Sequence, residues 1–170
     1  MASGRIAVGD DIVVLPAGLP ARIVEILTAD GSRGEASADQ AVTLRLDREI
    51  DVSRGDVFAT PAAAPRVTRE FDAELCWFDS DLLQPARSYL LKHGTRHVKA
   101  RFQSLGARLD FETLLPGAPA QTLAMNDIAS VRLQVQQPIA VDAYRRNRIT
   151  GAFILIDETT NRTVAAGTIA

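Results

Sequence analysis

Cysteine, histidine and aromatic side chains are scarce in this chain, with one cysteine, two histidines and 5% aromatics among 170 residues. A single cysteine, Cys76, excludes an intramolecular disulfide and any CxxC zinc or redox pair. No apolar run approaches the roughly 20 residues that cross a bilayer as a helix. The opening Met1-Ala2-Ser3-Gly4-Arg5-Ile6 lacks the apolar stretch of a signal peptide. These absences point to a soluble, cytoplasmic protein. A phosphate loop of the form G-x-x-x-x-G-K-[ST] is missing, and with it the backbone cradle and lysine that nucleotide hydrolysis of that class needs. The G-x-G-x-x-G and G-x-S-x-G signatures are missing too. A net charge of -2 and a pI near 5.7 give no basic field for non-specific nucleic-acid binding.

What the chain does have is period-2 alternation, broken by turn residues every 8–12 positions or so, which is the pattern of β-barrels and sandwiches. Ile6 to Leu15 reads as strand with a turn at Gly9-Asp10-Asp11, and Ala21 to Leu27 as a second strand closed by Asp30-Gly31. Residues 34–39 read as a loop. Ala41 to Leu46 reads as a strand with Val42, Leu44 and Leu46 on one face, and Val57 to Ala59 as a short one. Thr60-Pro61-Ala62-Ala63-Ala64-Pro65 brings little apolar surface and reads as a linker. The domains are therefore expected at 1–60 and 66–170, with 61–65 between them.

Beyond the linker, Thr68 to Phe78 alternates with Phe71, Ala73, Leu75 and Trp77 on one side. Strands are expected at 88–92, 96–105, 109–114 (ended by Pro116-Gly117), 128–136, 152–156 and 164–169. A short helix is expected over Asp79 to Gln84, capped by Asp79 or Ser80 and stopped by Pro85. The fold class is all-β, two small barrels in tandem.

Few residues suggest chemistry. His93 and His97 would share a face on one strand, but the turn at Gly94-Thr95 separates them and no further ligand completes a metal site, so both read as solvated turn residues. Arg54-Gly55-Asp56 reads as a turn opening the next strand. Asp10-Asp11 and Asp79/Asp81 fall at turns and caps, not in the buried pairs that acid–base catalysis requires. Trp77 fits core packing better than a surface role. No catalytic, cofactor-binding or metal site is expected. The densest basic cluster is Tyr144-Arg145-Arg146-Asn147-Arg148, which with Arg132 or Lys99 nearby would suit a phosphate or an acidic partner; a solvated loop is the alternative.

Three segments resemble the GTPase superfamily that includes elongation factor Tu. Gly4-Arg5-Ile6-Ala7-Val8-Gly9-Asp10 is similar to a strand-turn of its second domain, Arg54-Gly55-Asp56-Val57-Phe58-Ala59 to the close of that domain, and Arg162-Thr163-Val164-Ala165-Ala166-Gly167 to the close of the third. Cys76-Trp77-Phe78, Tyr89 to Thr95, Met125-Asn126-Asp127-Ile128 and Asn147 to Asp157 depart from the translation factor. They resemble instead the GTP-dependent subunit of bacterial sulfate adenylyltransferase and its nodulation-protein relatives.

The resemblance implies sulfate activation, in which a small catalytic subunit makes adenylylsulfate from ATP and sulfate while a GTPase partner drives it. It also implies that GTP and magnesium bind a GTPase domain outside these residues. The barrels here would hold that domain against the catalytic subunit, with Tyr144, Arg145, Arg146, Asn147 and Arg148 as the candidate contact. The start falls inside the family's second domain, so a fragment is expected, with an uncovered strand edge, strand exchange or local disorder within residues 1–60. Some relatives continue into an adenylylsulfate kinase domain. The rival reading is a translation-factor-like RNA-binding module, which the net charge and the few aromatics disfavour.

Overall fold

The computed structural model describes residues 1–170, and the chain divides into two compact units, Met1–Val67 and Thr68–Ala170. Both are built from antiparallel strands.

In the first unit, β1 (Arg5–Ala7) and β2 (Asp11–Leu15) flank the Gly9 turn, where the backbone has φ 96° and Asp10 accepts a hydrogen bond from the Ala7 N–H. The long β3 (Leu19–Thr28) pairs with β2, with β4 (Gly31–Arg33) and with β6 (Thr43–Leu46). Residues 34–39, read from the sequence as loop, contain β5 (Glu35–Ser37), which pairs with β1. Only Ala36 of that strand is buried, so the sequence carries too little apolar signal to mark it. β7 (Val57–Ala59) pairs with β2 alone and forms an edge. The unit is a curled sheet around Ile12, Ala21, Ile23, Ile26 and Ala36, with Val42, Leu44 and Leu46 packed against them. A 3-10 turn at Pro61–Ala63 follows.

The second unit closes on itself. β8 (Arg66–Trp77), β9 (Ser88–His93), β10 (Arg96–Leu109), β12 (Ile128–Val141), β13 (Ala152–Ile156) and β14 (Thr163–Ile169) form a ring in the order β10-β12-β8-β14-β13-β9, and β9 pairs back to β10. Closure removes free edges from all six. The period-2 faces fill the interior: Phe71, Leu75, Leu91, Leu133 and Leu155 are all nearly inaccessible. Phe71 meets Phe153, Trp77 meets Tyr89, and Tyr89 meets Phe102, each edge to face at 5.6–5.8 Å between ring centroids.

Three sequence expectations fail here for local reasons. Residues 79–84 are not helical. The Asp79 carboxylate accepts the Asp81 N–H at 3.0 Å, the Trp77 indole N–H donates to the Asp81 carbonyl at 2.8 Å, and the Leu83 N–H donates to Leu123. Side-chain and cross-chain bonds thus take the groups a helix would have used. The strand expected over residues 109–114 does not form: Leu109 ends β10, and Asp110 accepts the N–H groups of Glu112 and Thr113 and turns the chain. Pro116 does not stop a strand; it opens β11 (Pro116–Pro119), a fully exposed edge beside β10, where a proline costs no ladder bond.

Candidate functional site

The connection between β12 and β13 carries all five candidate contact residues, and it is a built loop. β12 delivers Asp142 with its carboxylate buried at the barrel end, where the Thr150 hydroxyl donates to Oδ2 at 2.6 Å. Arg146 Nη1 lies 3.6 Å from the other oxygen. The Asp142 N–H donates to the Thr150 carbonyl, so the loop is pinned at its neck by main chain and side chain together. That same Thr150 carbonyl lies 2.7 Å from His93 Nε2, which therefore carries the proton and donates.

Within the loop, the Arg146 and Asn147 N–H groups donate to the Ala143 carbonyl, and Asn147 Oδ1 accepts the N–H groups of Ile149 and Thr150. The Tyr144 N–H donates to Ile169 and the Ile169 N–H to Gly151, which bolts the loop onto the end of β14. A glycine is required at 151: an added Cβ would stand 2.4 Å from Tyr144 Cα and 2.7 Å from the Asn147 carbonyl oxygen.

The five residues therefore differ in placement. Arg145 and Arg148 are exposed, Tyr144 is half-buried, Arg146 is exposed with its guanidinium beside Asp142, and Asn147 is spent holding the turn. Arg132 and Lys99 add no charge to the loop. Arg132 is held by Asp72 at 3.2 Å and by Glu70, and Lys99 lies 3.2 Å from Glu158.

The histidine expectation is corrected in part. His97 is exposed, but His93 is buried at the barrel end and is not a solvated turn residue. No group of three His, Cys, Asp or Glu side chains comes together to hold a metal ion. The paired aspartates are occupied structurally: Asp11 pairs with Arg22 at 2.8 Å, a contact that holds its carboxyl below the usual range, and Asp79 lies 3.5 Å from Arg162. Gly55 of Arg54-Gly55-Asp56 sits at φ 101° in a turn closed by the Asp56 N–H to Ser53. Trp77 is core, whereas Phe78 is exposed.

At the far end of the barrel, Asp157 is buried and its carboxylate accepts the N–H groups of Thr159 and Thr160. The Thr160 N–H, then the Thr159 N–H and Arg87 at 3.2 Å, hold its pKa down against the effect of burial. Sequence reasoning missed both Asp142 and Asp157. The signal was present, since each stands immediately after an apolar strand and ahead of threonines that it bonds.

Comparisons with known proteins agree with this architecture. The profile of the GTP-eEF1A C-terminal domain-like family matches residues 70–170. The chain is 46% identical over 170 residues to a bifunctional enzyme CysN/CysC of Mycobacterium tuberculosis, covering 99% of this chain and 28% of that one. It is 40% identical to a sulfate adenylyltransferase subunit 1 of Saccharophagus degradans, covering 99% of this chain and 36% of the other. A bifunctional enzyme NodQ of Rhizobium tropici is 41% identical, with 27% of its length covered. The chain thus spans about a third or less of the curated relatives it matches. Among solved structures, Sup35 complexed with GDP superimposes with a TM-score of 0.89 at 21% identity, over 99% of this chain and 42% of that one. The elongation factor SelB of Methanococcus maripaludis does so with a TM-score of 0.76 at 18% identity, over 98% and 37%. At these identities the solved structures speak for the fold alone.

Proposed function

Since this chain belongs to the GTP-eEF1A C-terminal domain-like family, we propose that it forms the β-barrel part of the GTP-dependent subunit of a sulfate adenylyltransferase and docks the small catalytic subunit. The observation that carries the reading is its continuity. Similarity at 40–46% identity to sulfate adenylyltransferase subunit 1 and CysN/CysC proteins runs over 99% of the chain, through both units and the Asp142–Gly151 loop. On this reading GTP and magnesium are held outside these residues, which supply no phosphate loop. The barrels contribute coupling and no bond chemistry. A rigid closed ring transmits position, and docking that is stronger in one nucleotide state than in another biases the partner. The pinned loop suits that role, because Arg145 and Arg148 are presented on a frame that loses little conformational freedom on binding.

The test is competition. Excess chain added to an intact two-subunit sulfate adenylyltransferase of the same organism should inhibit GTP-stimulated adenylylsulfate synthesis by occupying the catalytic subunit. Unchanged synthesis at a large molar excess of folded chain contradicts the reading.

A further inference from the structure

The outside of the closed barrel has two unlike flanks. Across β8, β12 and β10 the outward residues are charged or amide-bearing and bonded to one another. Arg132 contacts Asp72, Glu70 and Gln103, and Gln134 and Gln103 both donate to Glu70. Across β8, β14, β13 and β9 the registers set Cys76, Ala166, Ile154 and Lys92 side by side in one row. The neighbouring row is Glu74, Thr168 and Ala152. Outward positions of an antiparallel barrel in water are ordinarily polar, yet the middle of this flank is alanine, isoleucine and cysteine.

These residues floor an open groove of about 610 Å³ that Ile128 and Tyr144 also line. Tyr144 is the first of the five loop residues, so the loop that carries the exposed Arg145 and Arg148 starts at the edge of the groove. Its charge has a direction. Lys92 stands on one side and Arg145 and Arg148 are carried by the loop, against Glu74 on the other side and Asp127 near Cys76, the latter already paired with Arg108 at 3.4 Å. Arg146 is offset by Asp142.

We infer that this groove is a docking surface for an acidic segment of a partner protein, one that inserts large apolar side chains between Cys76, Ala166 and Ile154 and sets its carboxylates against Lys92, Arg145 and Arg148. The inference rests on the docking reading above and assigns it a place. A small-molecule occupant fits less well, because the groove is open and lacks the converging polar groups that orient a ligand. The apolar floor supplies the desolvated centre of an interface and the basic loop its rim.

Cys76 provides a built-in reporter. It is the only cysteine, it is half-buried in the groove, and burial together with Asp127 pushes its thiol pKa up, so its alkylation reports on this surface alone. The experiment uses the full chain and the purified small catalytic subunit. Wild type, Ala166→Arg in the groove and Gln134→Arg on the charged flank are titrated with that subunit, and Cys76 alkylation by a maleimide is timed with and without it. The expected result is affinity at least tenfold weaker for A166R, unchanged for Q134R, and Cys76 alkylation slowed at least tenfold in the wild-type complex. Thermal unfolding of A166R reports whether the variant is folded, and the alkylation measurement on wild type stands without it. Binding by wild type with Cys76 still reactive, or with folded A166R binding equally well, overturns the groove assignment alone. Failure of wild type to bind overturns the docking reading and this inference with it.

Discussion

Gly167→Ala adds one methyl group to β14, and the structure says where that group goes. Gly167 is the register partner of Phe153 on the neighbouring strand β13, both on the inward face, and a Cβ there would stand 2.4, 2.8 and 3.0 Å from ring carbons Cζ, Cε1 and Cε2. The ring has nowhere to retreat: Phe153 is 4% exposed and packs edge to face on Phe71 at 5.6 Å. The backbone at 167 is not in the left-handed region, so the cost is steric. Overpacking of this kind costs about 1–3 kcal/mol, while replacing glycine lowers unfolded-state entropy and returns roughly 0.4–1 kcal/mol. The net expectation is a barrel less stable by about 1–2 kcal/mol.

Trp77 is the only tryptophan and lies in the barrel core, so its fluorescence reports this unit separately from the first. With a urea m-value on the order of 1 kcal/mol/M, the midpoint should fall by about 1–2 M. Shortening the ring should relieve the clash. Gly167→Ala combined with Phe153→Leu is expected to be less destabilised than the sum of the single variants by about 1 kcal/mol. An unchanged midpoint for G167A, or strict additivity in the double variant, refutes the packing argument.

Two further outcomes follow from the buried carboxylates. Asp142→Ala removes the acceptor of the Thr150 hydroxyl and the partner of Arg146; it should destabilise the barrel by about 1–3 kcal/mol in the same Trp77 assay, with faster amide exchange across residues 143–150. Asp157 has its pKa lowered below 3.8, first by the Thr160 N–H, so the stability it contributes is complete above that value and is lost as the pH falls through the lower, folded-state value. Asp157→Asn should therefore flatten the loss of barrel stability below about pH 4; an acid unfolding curve of wild-type slope would count against the assignment.

Much of this architecture was legible in alternation. Phe71, Ala73, Leu75 and Trp77 share one side of the alternation and are all buried, and the strand expected at 128–136 lies within β12. The failures lie where one side chain outweighs periodicity: Asp79 and Asp110 each bind N–H groups two residues on and turn the chain. β5 was invisible because its pairing with β1 spans about thirty residues and buries only Ala36. The basic loop could be found from composition, but its frame could not, since His93 reaches Thr150 across 57 positions of sequence. The groove stayed hidden for a related reason. Period-2 reading separates inward from outward faces, and outward alanine, threonine and cysteine look unremarkable until register places Cys76, Ala166 and Ile154 in one row.

The most direct test of the central claim is calorimetric titration of this chain with the small catalytic subunit of the same organism's sulfate adenylyltransferase, without GTP. Saturable binding is expected, weakening when Arg145 and Arg148 are both replaced by glutamate. The absence of heat at any ratio, with the chain shown to be folded by its Trp77 signal, would contradict it.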